Sequence, residues 1–165
     1  MPKEQSNEVF MPPNLLKAKV GGTVAGLDTA AIKRAAEAVE NLKTEFSDWL
    51  TDDIARLGTA YDVFLAARDG ASCSDLFRAS HDLKGQATTF EFPMVARVAS
   101  SLCKLMDSLG SHDKVPLQLV EAHIDAIRVI HREKIKEISN LTALTLVEEL
   151  ETRVTKALAH MTPKG

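Results

Sequence analysis

One long helical stripe of apolar residues constrains the fold of this chain more than any other feature. From Asp28 onward, apolar side chains recur every three or four positions, with no proline among them, at Ile32, Ala36, Val39, Leu42, Phe46, Trp49, Ile54, Leu57, Tyr61 and Phe64. This spacing places them on one face of a helix. Since Asp28 is also a suitable N-cap, we predict one long helix, or two nearly coaxial helices, that begin there.

Three further helices are expected, each bounded by glycine or proline. The segment "RDGAS" predicts a turn after the long helix, and a second helix then runs from about Ser74 to Phe90, where "EFP" ends it. Pro93 suits the first turn of a third helix, which ends at Gly110, and Pro116 opens a fourth. The expected inward residues of these two helices are Val95, Val98, Leu102, Leu105 and Leu109, followed by Leu117, Val120, Ile124, Ile127 and Ile135.

The whole pattern predicts an all-α protein. A fifth amphipathic segment carries Leu146, Leu150, Val154 and Leu158 at helical spacing, and nothing alternates with the period of a strand. Because the loops are short, neighbouring helices should be antiparallel. We therefore expect an antiparallel four-helix bundle with an irregular N-terminal arm and an additional C-terminal helix.

The expected division of the chain follows from this pattern. Prolines and glycines make residues 1–27 an irregular arm, residues 28–135 form the bundle, and residues 136–165 form the last helix and tail, packed on the bundle. The arm contains three apolar residues that are candidates for docking on the bundle, Leu15, Leu16 and Val20.

Composition excludes several classes of function. The chain has 165 residues, 45% of them hydrophobic, which suits one compact domain. The net charge is -3 and the lysines and arginines are dispersed, so the sequence predicts no basic patch for nucleic-acid binding. No apolar run is long enough for a membrane span or a secretory signal, so we expect a cytoplasmic protein. Cys73 and Cys103 lack metal-ligand spacing and are interpreted as reduced packing residues.

The second helix contains the stretch "SHDLKGQATTF", in which Gly85 interrupts good helix formers. Such a glycine costs about 1 kcal/mol relative to alanine. The inward stripe is Leu76, Ala79, Leu83, Ala87 and Phe90. At about 100° per residue, His81 lies nearly opposite this stripe, and Ser74, Phe77, Lys84, Gly85 and Thr88 share its outward face.

This outward face indicates a site at which an imidazole receives an anionic group from a docked partner. The missing side chain of Gly85 lets another protein's backbone or a bulky group approach His81. Lys84 places a positive charge beside the same point. Phe77, one turn before His81, fits the rim of a contact surface.

The sequence "HDLKG" at His81–Gly85, on the second helix of a bundle after a long first one, resembles the His-x-x-Lys-Gly motif of the histidine-containing phosphotransfer (HPt) domains of bacterial phosphorelays. The resemblance covers roughly residues 28–135. It implies that a phosphoryl group passes from the aspartyl phosphate of one receiver domain to His81, and then to the aspartate of another. Glu91 departs from the pattern, since many members have a second glycine ten positions after the histidine.

The resemblance also implies roles for neighbouring residues and partners. His81 would be the phosphoacceptor and Lys84 would offset the charge of the phosphohistidine, while Phe77, Gly85, Gln86 and Thr88 would contact the partner. The expected partners are response-regulator receiver domains and a hybrid histidine kinase. The protein would be a monomer without ATP-dependent catalysis, cofactor or metal of its own, because the Mg²⁺ pocket belongs to the receiver.

Two other classes of function stay open at this point. The same letters resemble the H-box of sensor histidine kinases, in which Asp82 would act as a base, and a dimeric kinase-derived phosphotransferase without an ATP-binding domain fits that pattern. A helical adaptor without phosphate chemistry is the other alternative. Locally, Phe77 could instead pack against the N-terminal arm, and Gly85 could relieve crowding against a neighbouring helix.

The remaining histidines carry less functional signal. His131 falls on the apolar stripe of the fourth helix and is interpreted as a hydrogen-bonded bundle residue. His112 lies in a polar loop, His123 is expected on an outward flank, and His160 lies in the tail. None forms a pair with the spacing of HExxH, and no G-x-S-x-G elbow is present, so we expect neither a metal site nor a hydrolytic serine.

Overall fold

The computed structural model describes residues 28–161, and within that range it contains α-helices and no strand. The elements are α1 (Thr29–Ala67), α2 (Gly70–Thr89), α3 (Pro93–Asp107), a short 3-10 turn (His112–Lys114), α4 (Leu117–Arg132) and α5 (Leu141–Met161). The all-α prediction is therefore confirmed. The proposed docking residues of the N-terminal arm lie outside the described residues: Leu15, Leu16 and Val20.

The long first helix forms as predicted, as a single element of 39 residues. Asp28 caps it, because the Asp28 carboxylate accepts a hydrogen bond from the Ala30 backbone N–H at 3.1 Å. The chain divides into two compact units after Asn41. In the first unit, Ile32 and Val39 are about half exposed, so the apolar stripe is not buried along its whole length. In the second unit, burial along α1 begins at Leu50.

α2 begins at Gly70, four residues before the predicted start, because Asp69 caps it. The Asp69 carboxylate accepts hydrogen bonds from the backbone N–H of Ser72 at 2.8 Å and from the Ser72 hydroxyl at 2.7 Å. These hydrogen bonds lower the pKa of Asp69. The turn before the cap is tight, since Arg68 has a φ of 49°.

α2 ends through Glu91, which takes a left-handed conformation with a φ of 62°. Glycine adopts this conformation without strain, which gives a physical reason for a glycine at this position in many proteins with the motif. Here the Phe92 N–H donates to the Ala87 carbonyl at 2.8 Å and the Glu91 N–H donates to the Thr88 carbonyl at 3.4 Å. This is a Schellman ending, so the non-glycine residue still makes the turn into α3.

α3 lies at the centre of the second unit and packs on α2, α4 and α5. Pro93 occupies its first turn as predicted. The five predicted inward residues are all buried, at Val95, Val98, Leu102, Leu105 and Leu109. The core also receives side chains from α1, at Leu50, Ile54, Leu57, Tyr61 and Phe64.

The last two helices follow the predicted stripes with two differences. α4 ends at Arg132, and Lys134 then turns the chain with a φ of 52°, so Ile135 packs on the core from beyond the helix end. In α5, Leu150 and Val154 are buried as predicted, but Leu146 is 38% exposed and Val147 is buried in its place. The α5 helix is therefore rotated relative to the expected stripe.

His123 does not lie on an outward flank, and this prediction is wrong, because the residue is fully buried. Its Nδ1 lies 2.6 Å from the Leu119 carbonyl oxygen, so Nδ1 donates to that oxygen. Its Nε2 then accepts a hydrogen bond from the Ser101 hydroxyl of α3 at 3.0 Å. Both ring nitrogens of the neutral imidazole are satisfied, and burial lowers the pKa of His123.

We expect this buried histidine to make the fold sensitive to mild acid. The pKa of His123 is lowered from 6.5 in the folded state, so the unfolded chain binds the proton more readily. The contribution to stability is therefore present above pH 6.5 and is lost as the pH falls towards the folded pKa, by up to about 1.4 kcal/mol per pH unit. Urea unfolding at pH 7 and pH 5 measures it.

The matched variants for this prediction are His123→Gln and His160→Gln. His160 is exposed in the last turn of α5. His123→Gln should lower the free energy of unfolding at pH 7 and also flatten its decline between pH 7 and pH 5. The prediction is contradicted if His123→Gln retains the full pH dependence of the wild type.

Candidate functional site

His81 lies on the exposed face of α2, as the angular spacing predicts. The opposite face of the helix is buried in the core through Leu76, Leu83 and Ala87. Ser80 is also fully buried, and its hydroxyl donates to the Leu76 carbonyl at 2.8 Å, so no unsatisfied polar group results. The packed face holds α2 in place while the imidazole of His81 stays accessible to solvent.

Phe77 is the aromatic neighbour of His81 on this face. The two rings are one helical turn apart, with centroids separated by 6.3 Å and planes inclined by 30°. Phe77 is half-buried and packs against the core, so it limits one side of the space around the imidazole. The N-terminal arm, the other proposed contact of Phe77, lies outside the described residues.

Gly85 faces open space one turn after His81. A Cβ built on this residue would meet no atom of residues 28–161 within 4 Å, so the interpretation that Gly85 relieves crowding against a neighbouring helix is wrong. Gln86 and Thr88 are exposed beside it. The hydroxyl of Thr88 donates to the Lys84 carbonyl at 3.0 Å, so its hydrogen-bonding capacity is partly used within the helix.

Lys84 supplies the positive charge on this face. Its side chain is exposed, and no carboxylate of residues 28–161 lies within ion-pair distance of it. The Lys84 ammonium opposes the effect of burial on Cys103 of α3, whose thiol pKa is raised to about 11. The positive charge of Lys84 is therefore felt on the side of α2 that adjoins α3.

Carboxylates occupy the other flank of the site, towards α1. Asp82 follows His81 and is exposed. Burial raises the pKa of Asp53 on α1, and the negative charges of Asp82 and Asp52 raise it further. The Arg56 guanidinium, 3.1 Å from the Asp53 carboxylate, lowers this pKa. Because adjacent residues on a helix do not face each other, Asp82 is not aligned with the His81 imidazole.

The other histidines do not join this site. His131 is half-buried, with its ring 5.2 Å from that of Phe92, and its pKa is lowered by burial and by Lys134 and Lys136. Within residues 28–161, His131 does not make the hydrogen bond that its position in the bundle suggested. His112 lies in the 3-10 turn, 3.2 Å from Asp113.

Between residues 28 and 161, no group of three or more histidine, cysteine or acidic side chains is arranged to hold a metal ion. In the same range, none of the helices combines the length and the apolar character needed to cross a bilayer. Cys73 and Cys103 are both free thiols, in agreement with their interpretation as reduced residues.

The model of the Hpt domain matches residues 41–152, which is more than half of the chain. The match includes the whole of α2 and extends beyond residue 135 into α5. Neither the curated proteins nor the solved structures gave a match. The exposed histidine on α2 thus lies within the matched region, and the chain belongs to the Hpt domain family.

Proposed function

We propose that this protein is a phosphorelay intermediate that accepts a phosphoryl group on His81 from a receiver aspartate and passes it to the aspartate of another receiver. Hpt domains carry out histidine phosphotransfer in phosphorelays, and their partners are receiver domains. The observation that supports His81 as the acceptor is its exposure on α2, with no atom of the described residues close to a Cβ at Gly85 one turn away.

The proposed chemistry needs only an accessible neutral imidazole. A ring nitrogen of His81 attacks the phosphorus of the aspartyl phosphate, a P–N bond forms, the P–O bond breaks, and the carboxylate leaves with the electron pair. The proton on the other ring nitrogen passes to water. In the second transfer another carboxylate attacks the phosphorus, the P–N bond breaks, and the imidazole regains a proton.

This assignment places the catalytic machinery in the partner. Positioning and charge stabilisation account for most of phosphoryl transfer, so the protein acts as donor and acceptor without ATP-dependent catalysis of its own. The Mg²⁺ that assists the transfer is expected in the receiver domain. Phe77, Gly85 and Thr88 share the face of His81, and the exposed Gln86 lies towards α1. All four residues are proposed to contact the receiver.

We further propose that the protein acts as a cytoplasmic monomer and receives its phosphate through a hybrid histidine kinase. Sedimentation equilibrium of the full chain tests the oligomeric state. A stable dimer, with phosphotransfer that depends on Asp82, would instead favour a kinase-derived phosphotransferase.

Lys84→Gln should slow transfer to His81 by about tenfold, because the phosphohistidine loses one charge-assisted contact. Rapid-quench measurement of transfer from a phosphorylated receiver gives the rate. Lys156→Gln is the matched control, since Lys156 is an exposed lysine on α5. Equal slowing in both variants would assign the effect to net charge and not to the position of Lys84.

The function itself is tested by incubating the full chain with a panel of aspartyl-phosphorylated receivers from the source organism. We expect a label that is stable in alkali and labile in acid, and that maps to the peptide containing His81. A label on His112 or His160 would show that His81 is not the phosphoacceptor. If no receiver labels the folded protein, the phosphorelay assignment fails and the adaptor becomes the better hypothesis.

A further inference from the structure

A groove of about 360 Å³ opens beside Phe77, where the first turns of α2 meet the end of α3 and the loop that follows it. Cys73 and Phe77 line it from α2, and Met106 lines it from α3. Gly70 and Gly110 add no side chains, which leaves the groove open. The remaining lining residues are polar: Ser74, Asp107, Ser111 and His112.

The groove is continuous with the face that carries His81. Cys73, Phe77 and His81 are spaced by four residues, so they follow one another along the same side of α2. Phe77 belongs to both features, since it lines the groove and its ring lies 6.3 Å from that of His81. Cys73 and His81 are only about 12 Å apart along the helix axis. A protein that covers His81 with an interface of ordinary size therefore also reaches the groove.

We infer that this groove takes one apolar side chain of the receiver domain that docks on His81, and that the fit of this side chain helps to select the receiver. The inference rests on the proposed function. The half-buried Cys73 and Phe77 form the apolar walls, and the flexible thioether of Met106 can adapt to the shape of the incoming side chain. Asp107 and His112 give the groove a polar rim, as in other protein interfaces.

Cys73 provides a direct probe of the groove in the full chain. Burial raises the pKa of both free thiols, but Cys73 is half-exposed, whereas Cys103 is buried and its pKa is raised to about 11. Iodoacetamide should therefore alkylate Cys73 first. We expect a docked receiver to slow alkylation of Cys73 by at least about tenfold, because it covers the thiol. An unchanged rate with a receiver that is bound and transferring phosphate would overturn the inference.

The free protein supplies the second arm of this experiment. If Cys73 reacts as slowly as Cys103 before any receiver is added, the groove is already covered by residues 1–27 or by a second copy of the chain, and the receiver is not its occupant. Dilution distinguishes these two occupants, since only a second copy dissociates. Rapid alkylation of the free protein at all concentrations supports an open groove.

A filled groove should impair docking without impairing the fold. Ser74 is exposed and lines the groove, whereas Ala71 is exposed on the same helix but does not line it. Ser74→Phe should raise the KM for the phosphorylated receiver by about tenfold relative to Ala71→Phe, with kcat and the melting temperature unchanged. Equal KM values in the two variants would overturn the inference.

These outcomes separate the groove from the proposed function. A receiver that phosphorylates His81 normally, leaves Cys73 reactive and tolerates Ser74→Phe removes the groove proposal alone. A wild-type protein that no receiver phosphorylates removes the proposed function itself.

Discussion

His81→Gln should abolish phosphoryl transfer and leave the fold intact. The amide of glutamine has no nucleophilic nitrogen, so it cannot form the P–N bond that an imidazole forms. His81 is exposed, and its recorded ring contact is with Phe77 at a centroid distance of 6.3 Å. Substitution of such a surface side chain usually changes the free energy of unfolding by no more than about 0.5 kcal/mol. Phosphoryl transfer from a labelled receiver and urea unfolding measure the two effects.

The matched control for this prediction is His160→Gln. His160 is exposed in the last turn of α5 and does not line the groove beside Phe77. This variant should still be phosphorylated at His81. A residual label in His81→Gln would show that another histidine accepts the phosphoryl group, and an unfolded His81→Gln would contradict the exposed position of the side chain.

The helices could be predicted because each carries its own periodic stripe and its own boundary residues. Pro93 opens α3 as predicted, but α3 ends at Asp107, three residues before Gly110, which takes a φ of 63° in the turn that follows. Apolar periodicity predicts a start of α2 that is about four residues too late, because Asp69 caps the helix by accepting a hydrogen bond from the Ser72 N–H, and the helix begins at Gly70. Local hydrogen bonds of this kind decide helix ends more finely than apolar periodicity does.

The burial of His123 could not be predicted, because it depends on a residue of another helix. Sequence periodicity treats a histidine as polar and assigns it to the solvent face. Ser101 of α3 satisfies the inner ring nitrogen of His123, and the Leu119 carbonyl satisfies the other. A buried polar side chain with both hydrogen bonds made carries no large penalty. The pairing of Ser101 with His123 becomes visible only when α3 and α4 pack together.

The same distinction applies to the candidate site. His81, Lys84 and Gly85 share one face of one helix, so the period of the helix is enough to bring them together. The groove beside Phe77 needs Met106 and the loop after α3, which approach α2 only in the folded chain. A face on a single helix can therefore be predicted from sequence, while a groove between two helices cannot.

Gly85→Leu should stabilise the protein and reduce phosphoryl transfer by about a hundredfold, since small displacements of reacting groups have effects of this size. A Cβ at Gly85 meets no atom of the described residues within 4 Å, so a side chain can begin at this position without a backbone clash. Leucine also removes a helix penalty of close to 1 kcal/mol relative to glycine. The branched side chain would nevertheless occupy the approach to His81, one turn away, and hold the receiver's phosphoryl group out of reach.

Two further variants separate obstruction from the change in helix propensity. Gly85→Ala should be stabilised by about 1 kcal/mol but transfer nearly as fast as the wild type, because a methyl group projects far less. Thr152→Leu places the same leucine on an exposed position of α5 and should leave transfer unchanged. If Gly85→Leu transfers as fast as Gly85→Ala, the receiver does not pass over Gly85. The glycine would then need another explanation, because no neighbour within residues 28–161 lies close enough to require it.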